Sequence, residues 1–416
     1  MRFLKLFNVF VLVILISRPF LFAQKSEKES GWLELERQIN VPEEVIQWYM
    51  FPDKQIAITS REIILYQKGG FQTIPLPPQY LKTIFSRNGR FVALVTLNPR
   101  ESVEAIDREL TISVFSISEP SRELYHIKRK VYFDRVLPSF SVIGDNGSVI
   151  VGESDTGQIW FYDQSGNLVS QVVLFPDAEY DLEKILDMDV NEDGSRIVVV
   201  AGKRGGSPAG SDAVNPSAEP HLFCFTRQGM EIWRKTLPDL NSNRVAISPD
   251  GQFIVANSFS IFVNGRLNKK TLIFNSEGAP IFTTDILFKH ARFSPDSRYV
   301  LLAENNQLQL VDTKQEKLMW KQKISRQDGI FIDGAVSGSN GISAVLIAKI
   351  SWENDQFISR NPQVVLFNLK GQSLQRIEYT GQKALKPGLG LGGETESLLV
   401  GLGNSYQIFQ IKHKIQ

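Results

Sequence analysis

A short turn-and-strand unit, repeated along most of the chain, restricts the fold more than any other feature. Its clearest copies are Ser248-Pro249-Asp250-Gly251-Gln252-Phe253-Ile254-Val255 and Ser294-Pro295-Asp296-Ser297-Arg298-Tyr299-Val300. Looser copies start at Ser86, Gly144 and Asn191, another lies at Ser339-Asn340-Gly341, and degenerate ones sit near Pro52-Asp53-Lys54 and Thr395-Glu396. Asp or Asn before Gly supplies the backbone conformation a tight hairpin needs. The β-branched and aromatic run after it favours extended chain. The anchors Gly89, Gly147, Gly194, Gly251, Ser297 and Gly341 are 58, 47, 57, 46 and 44 residues apart. That period suits one four-stranded sheet per repeat, with loops of variable length.

A second pattern lies between the anchors: an apolar strand, a turn, then a strand often bearing Trp. Ile159-Trp160-Phe161-Tyr162-Asp163-Gln164-Ser165-Gly166 and Leu272-Ile273-Phe274-Asn275-Ser276-Glu277-Gly278 carry it. So do Phe223-Cys224-Phe225 running through Gly229 to Trp233, Leu308 to Asp312 running on to Trp320, and Val365 to Asn368 with Gly371. Over roughly residues 32–411 these repeats resemble the WD40-like and quinoprotein-like β-propeller superfamilies. The Ser-Pro-Asp-Gly copies resemble those of TolB-like propellers, and the spacing from Gly229 to Trp233 resembles the tryptophan repeat of quinoprotein propellers. The resemblance implies an all-β fold, a single closed β-propeller. It leaves function open, because propellers host many unrelated activities.

Strand bookkeeping gives eight four-stranded blades. Seven stays open, since the units at Lys54 and Glu396 are the weakest. The last apolar strand, Tyr406 to Ile411, is the third of its blade and has no successor. Trp32-Leu33-Glu34-Leu35-Glu36 alternates with strand period and has no partner of its own. This N-terminal strand is therefore expected to complete the last blade and seal the ring, leaving only short, protected edges. With strands lettered A to D from the axis outward, the A–B and C–D turns fall on one face and are short. The B–C and D–A connections fall on the other. Long ones are expected at 98–108, 202–220, 257–270, 351–361 and 175–183. Long loops on a rigid scaffold commonly carry binding. The candidate contacts there are Phe259, Phe262, Arg266, Trp352, Phe357 and Arg360, aromatic and arginine residues of the kind enriched where partners dock.

The N-terminus reads as an export signal. Arg2 and Lys5 precede the apolar run from Leu6 to Ile16, and Ala23 offers a cleavage point. Residues 1–23 are expected to be a signal peptide or an uncleaved anchor, 24–31 a linker, and 32–416 the propeller. The chain would then be periplasmic or extracellular. Removing Arg2, Lys5 and Arg18 leaves 43 basic residues against 45 acidic ones, near −2. No basic stripe emerges, which disfavours nucleic acid. The single cysteine, Cys224, lies in an apolar strand run and reads as a buried core residue.

Several motifs imitate chemistry. Asp189-Val190-Asn191-Glu192-Asp193-Gly194 begins like a calcium-binding loop, but Val200 stands where the bidentate glutamate belongs. Gly388-Leu389-Gly390-Leu391-Gly392-Gly393 has dinucleotide-loop spacing without a following helix. Glycines in an inner strand instead let backbones crowd at the axis. Asp163, Asp312 and Asn368 end strands at turns, where such side chains cap backbone groups. Trp160, Trp233 and Trp320 recur at related places and are expected to pack between blades. No cofactor or metal is expected. The sequence points to an exported, non-catalytic binding or scaffold propeller, a monomer or part of an envelope assembly. Its partner would be a protein, peptide or envelope polymer, met without a membrane beyond the N-terminal anchor. The alternative is a quinoprotein-like oxidoreductase or a hydrolase at the axial mouth. For the oxidoreductase, the resemblance would require a quinone and a calcium site, often with adjacent cysteines.

Overall fold

The computed structural model describes residues 31–412 apart from 68–69, 99–106, 133–138, 154–155, 175–184, 203–219, 262–266, 339 and 393–396. Among the described residues every regular element is a strand. The strands form eight antiparallel sheets, seven of them built from strands consecutive in the chain. These are the blades of a β-propeller. Blade 7 gains a short fifth strand, Lys383–Ala384.

The eighth sheet closes the ring. Gly388–Leu391, Ser397–Leu402 and Ser405–Ile411 supply three strands, and Leu33–Asn40 supplies the fourth. The latch pairs Leu33 with Ile411 and Gln38 with Gln407, and the Lys412 amide donates to the Trp32 carbonyl at 2.7 Å. Joining the first strand to the last removes the edge at which such a ring would otherwise open.

The core settles the blade count at eight. Among the described residues eight separate apolar clusters fill the ring, one between each pair of neighbouring blades. One of them joins blade 1 to blade 8 through Trp48, Ala57, Ile64 and Tyr406. The Trp48 indole also donates to the Gly403 carbonyl at 2.8 Å. Each sheet is covered on both faces, so its second strand carries a continuous apolar run rather than an alternation. Ile197, Val198, Val199 and Val200 of blade 4 are all fully buried. Trp160 and Trp320 lie in the clusters between blades 2 and 3 and between blades 6 and 7, and Trp233 packs against the cluster between blades 4 and 5. Cys224 is buried in that same cluster, and burial pushes its thiol up to about 11.

The repeat motif explains the A–B turns. In blade 5 the Ser248 hydroxyl donates to Asp250 and accepts from the Phe253 amide, while the Gly251 amide donates to the Ser248 carbonyl. Gly251 takes φ 73°. Ser297 holds the matching position at φ 60°, buried, its hydroxyl accepting from the Asp250 amide of the preceding blade. Similar links run from turn to turn: the Asn88 amide to Asp145, the Asp145 amide to Glu192, and the Glu192 amide to Pro249. The C–D turns are capped as expected. Asp163, Asp312 and Asn368 each accept two backbone amides of their own turn.

Close approach at the axis accounts for the glycine-rich inner strand of blade 8. A Cβ on Gly390 would lie 2.5 Å from the Met50 carbonyl oxygen, and one on Gly388 would lie 2.7 Å from that of Trp48. Blades 8 and 1 meet there backbone to backbone.

Candidate functional site

On the B–C face the described chain departs from the loops expected of it. In blade 5 the strand Phe253–Ile261 runs on against Leu267–Asn275, pairing Asn257 with Thr271 and Ile261 with Leu267. In blade 7, Ser343–Glu353 pairs with Gln356–Phe367 out to Glu353 opposite Gln356. Blades 5 and 7 therefore raise hairpins where loops were expected. Blade 6 stands between them and turns early, after the five-residue strand Tyr299–Ala303, where the Glu304 amide donates to the Gln307 carbonyl at 2.9 Å. It forms the low point between two tall ribbons.

Each hairpin is braced by a D–A connection. Asn241 and Phe259 exchange both backbone hydrogen bonds at 2.9 Å, and Lys383–Ala384 pairs with Ser359 and Arg360. Polar residues that look like loop are satisfied among themselves beneath the blade 5 hairpin. Asp239 accepts from the Ser258 hydroxyl and the Asn268 side-chain amide. Buried Asn257 donates to Asn243 and to the Phe288 carbonyl, and accepts from Thr271 and the Phe288 amide. Such a network holds a ribbon rigid only when every member is paired.

The tip of the blade 7 hairpin is a two-residue turn, Asn354 and Asp355 at φ 48° and 60°, the backbone that a type I′ turn requires. Cross-strand register gives the ribbon two faces. Ile350, Trp352 and Phe357 share one; Ser351, Glu353 and Arg360 share the other. The polar face is closed on itself. Glu353 takes Arg360 and Lys383, and the Ser351 hydroxyl with those two cations holds its carboxyl down to about 2. The apolar face is bare. Trp352 is 60% and Phe357 67% exposed, their rings edge to face at 4.6 Å.

Of the six candidate contacts, Trp352 and Phe357 thus meet directly. Arg360 lies on the opposite side of the same ribbon. Phe259 is half-buried on the blade 5 hairpin. Phe262 and Arg266 lie outside the described residues, as does most of 98–108, 175–183 and 202–220.

A second polar region was missed by sequence reasoning. On the inner strand Ile185–Val190 of blade 4, Met188 and Val190 are buried while Asp187 and Asp189 keep access to solvent. On the inner strand His290–Phe293 of blade 6, Ala291 and Phe293 pack toward blade 5, and His290 and Arg292 alternate with them. Arg292 stands on the innermost strand of its blade, yet 48% of its side chain is exposed. Groups from far-apart blades feel one another here. Burial pushes the Tyr49 phenol of blade 1 up to about 12, and Tyr80 of blade 2, Arg292 of blade 6 and Asp333 of blade 7 all act on it. The inner strands therefore surround an axial channel that water reaches.

The channel carboxylates join blades. Asp187 and Asp189 accept the Val245 and Ile247 amides of blade 5, and Asp333 accepts the Leu389 amide of blade 8. Asp189 also takes Arg87 of blade 2, and Arg292 donates twice to Asp333. Inner strand edges have unpaired backbone donors, and these side chains satisfy them. The available signal was charge alternating with apolar residues in Leu186-Asp187-Met188-Asp189-Val190 and His290-Ala291-Arg292-Phe293.

No family model and no curated protein matches the chain. Solved structures similar to it include hydrazine synthase from Kuenenia stuttgartiensis, 11% identical, with a TM-score of 0.48, over 81% of this chain and 98% of that one. Another is a chain of the mitotic checkpoint complex, 10% identical, with a TM-score of 0.46, over 98% of this chain and 100% of that one.

Proposed function

We propose that this chain is an exported, non-catalytic propeller that holds a protein, peptide or envelope polymer against its hairpin face. The observation that carries the proposal is the bare Trp352–Phe357 pair on a ribbon whose opposite face already pairs Glu353 with Arg360 and Lys383. Exposed aromatics on a braced element offer contact area with little entropy to lose on binding. Resemblance to the WD40-like and quinoprotein-like propellers, through the Ser-Pro-Asp-Gly and Gly-to-Trp repeats, supports a scaffold of this kind. Export rests on Arg2, Lys5 and the apolar run from Leu6 to Ile16.

The test is capture from the native envelope by the full chain and by the double variant Trp352→Ala/Phe357→Ala. A discrete partner should be recovered, and the variant should lose it while keeping its melting temperature. Undiminished capture by the variant, or recovery of the protein only from the cytoplasm, would remove the proposal.

A further inference from the structure

The axial channel stands apart from the aromatic ribbon, and its chemistry does not depend on what that ribbon holds. Four basic side chains gather where the channel meets the hairpin face. Arg244 immediately precedes the inner strand Val245–Ile247 of blade 5. Lys289 and His290 lie at the start of the inner strand of blade 6, and Arg292 two residues further along it. Arg244 and Arg292 are 52% and 48% exposed in their side chains, though both stand at the innermost strands.

The hydrogen-bonding capacity of the channel is lopsided. Each carboxylate already accepts at least one backbone amide. Asp187 takes the Val245 amide, Asp189 takes the amides of Val190 and Ile247 with Arg87, and Asp333 takes the amides of Gly334 and Leu389 with Arg292. The guanidinium donors are only partly committed. Among the described residues the Arg244 guanidinium has only a long ion pair, 3.9 Å to Asp187. Arg292 spends Nε and Nη2 on a single oxygen of Asp333. A guanidinium presents five donors in a planar fork suited to an oxyanion. An incoming cation would find most carboxylate oxygens taken and Arg244, Lys289 and Arg292 opposing it, whereas an incoming anion would find donors waiting.

The local field has the same sign. The His290 imidazole lies among Arg292, Arg244 and Lys289, with Asp333 as the opposing charge. Burial first, and those three cations after it, push it down to about 4. It is a neutral group at pH 7, able to donate one hydrogen bond without adding charge.

We propose that the hairpin-face mouth of the axial channel is an oxyanion site, in which Arg244 and Arg292 grip a carboxylate or phosphate beside His290. Two sources share that chemistry: a small acid, and an acidic side chain of a polypeptide seated on the same face.

The full chain titrated calorimetrically at low salt with succinate, inorganic phosphate, and an acetylated Glu-Glu dipeptide amide against its Gln-Gln counterpart tests this. At least one anionic probe should bind, and the Gln-Gln peptide should not. Succinate or phosphate binding marks a small-acid site; binding of the Glu-Glu peptide alone marks a polypeptide carboxylate. Arg244→Gln should weaken binding roughly tenfold or more and Arg244→Lys less. Saturation should move the His290 titration, followed by NMR, upward. Should Arg244→Gln fail to fold, the Arg244→Lys titration and the His290 shift in the unaltered chain decide the matter. No binding by any anionic probe, an unmoved His290, or an affinity indifferent to Arg244 would overturn the proposal.

Discussion

The two faces of the ring are built from the same strands and differ in how they end. On the A–B face blades 2 to 5 finish in tight turns that bond to themselves and to the next turn, as Ser248, Asp250 and Ser297 do. On the B–C face blades 5 and 7 overshoot into braced ribbons, one of them tipped by Trp352 and Phe357. The contrast teaches where sequence is spent on stability and where on contact. Along the A–B turns the polar groups are largely spent on one another, while Phe71 and Met230 stay exposed as separate side chains beside the C–D turns of blades 1 and 4. The hairpin face keeps apolar surface and guanidinium donors that the fold itself does not use.

Alterations to the framework should cost stability most. Gly390→Ala forces a Cβ to within 2.5 Å of the Met50 carbonyl oxygen at the seam between blades 8 and 1. Overpacking against backbone should cost about 3 kcal/mol, read as a lower urea midpoint. A smaller loss, ~1–2 kcal/mol, is expected of Asp250→Ala, which removes the acceptor of the Ser248 hydroxyl and the Gln252 amide. Partner capture by folded Asp250→Ala should be unchanged, and a capture defect there would blur the contrast between the faces. Trp352→Ala and Phe357→Ala should do the reverse. Their stability in urea should move by no more than ~0.5 kcal/mol, while capture weakens by about 30-fold.

A pH dependence sharpens the role of the channel. Burial pushes Asp187 up to about 6, so the native state holds its proton more tightly than the unfolded chain does. Its contribution is full below the ordinary aspartate value and is lost as pH rises through 6. His290, pushed down to about 4, contributes fully above its ordinary 6.5 and loses that as pH falls through 4. Between these limits the two slopes oppose. Relative to the unaltered chain, Asp187→Asn should make stability climb with pH across that window, and His290→Gln should make it fall. Denaturant midpoints at several pH values would show either slope, and parallel profiles for all three proteins would contradict the placement of these groups.

Much of the framework is legible in the sequence. Asp-Gly turns carry their own geometry, and an unpartnered alternating strand at Trp32 has few places to go but the unfinished last blade. The ribbons are less legible. Asn257, Ser258, Ser260 and Asn268 look like loop because their strand is wired by side-chain hydrogen bonds rather than by apolar alternation. The channel is hidden for another reason. Asp187, Asp189, His290 and Arg292 follow a half-buried strand pattern, and only the closed ring turns their exposed side into an axial site. Trp352 and Phe357 stand out for residue type alone. Their apposition needs the register across Asn354 and Asp355.

Both the sidedness and the channel follow from the ring being sealed by the strand at Leu33–Asn40. Gln38 and Gln407 face each other across that seam, the Gln407 side-chain amide donating to Gln38 at 3.0 Å. Mass spectrometry of oxidised Gln38→Cys/Gln407→Cys, with Cys224 buried in the core, tests the seal directly. A disulfide joining residues 38 and 407 within one monomer is the predicted product. Free thiols at both positions, or disulfides only between molecules, would mean that the ring is not closed by this strand.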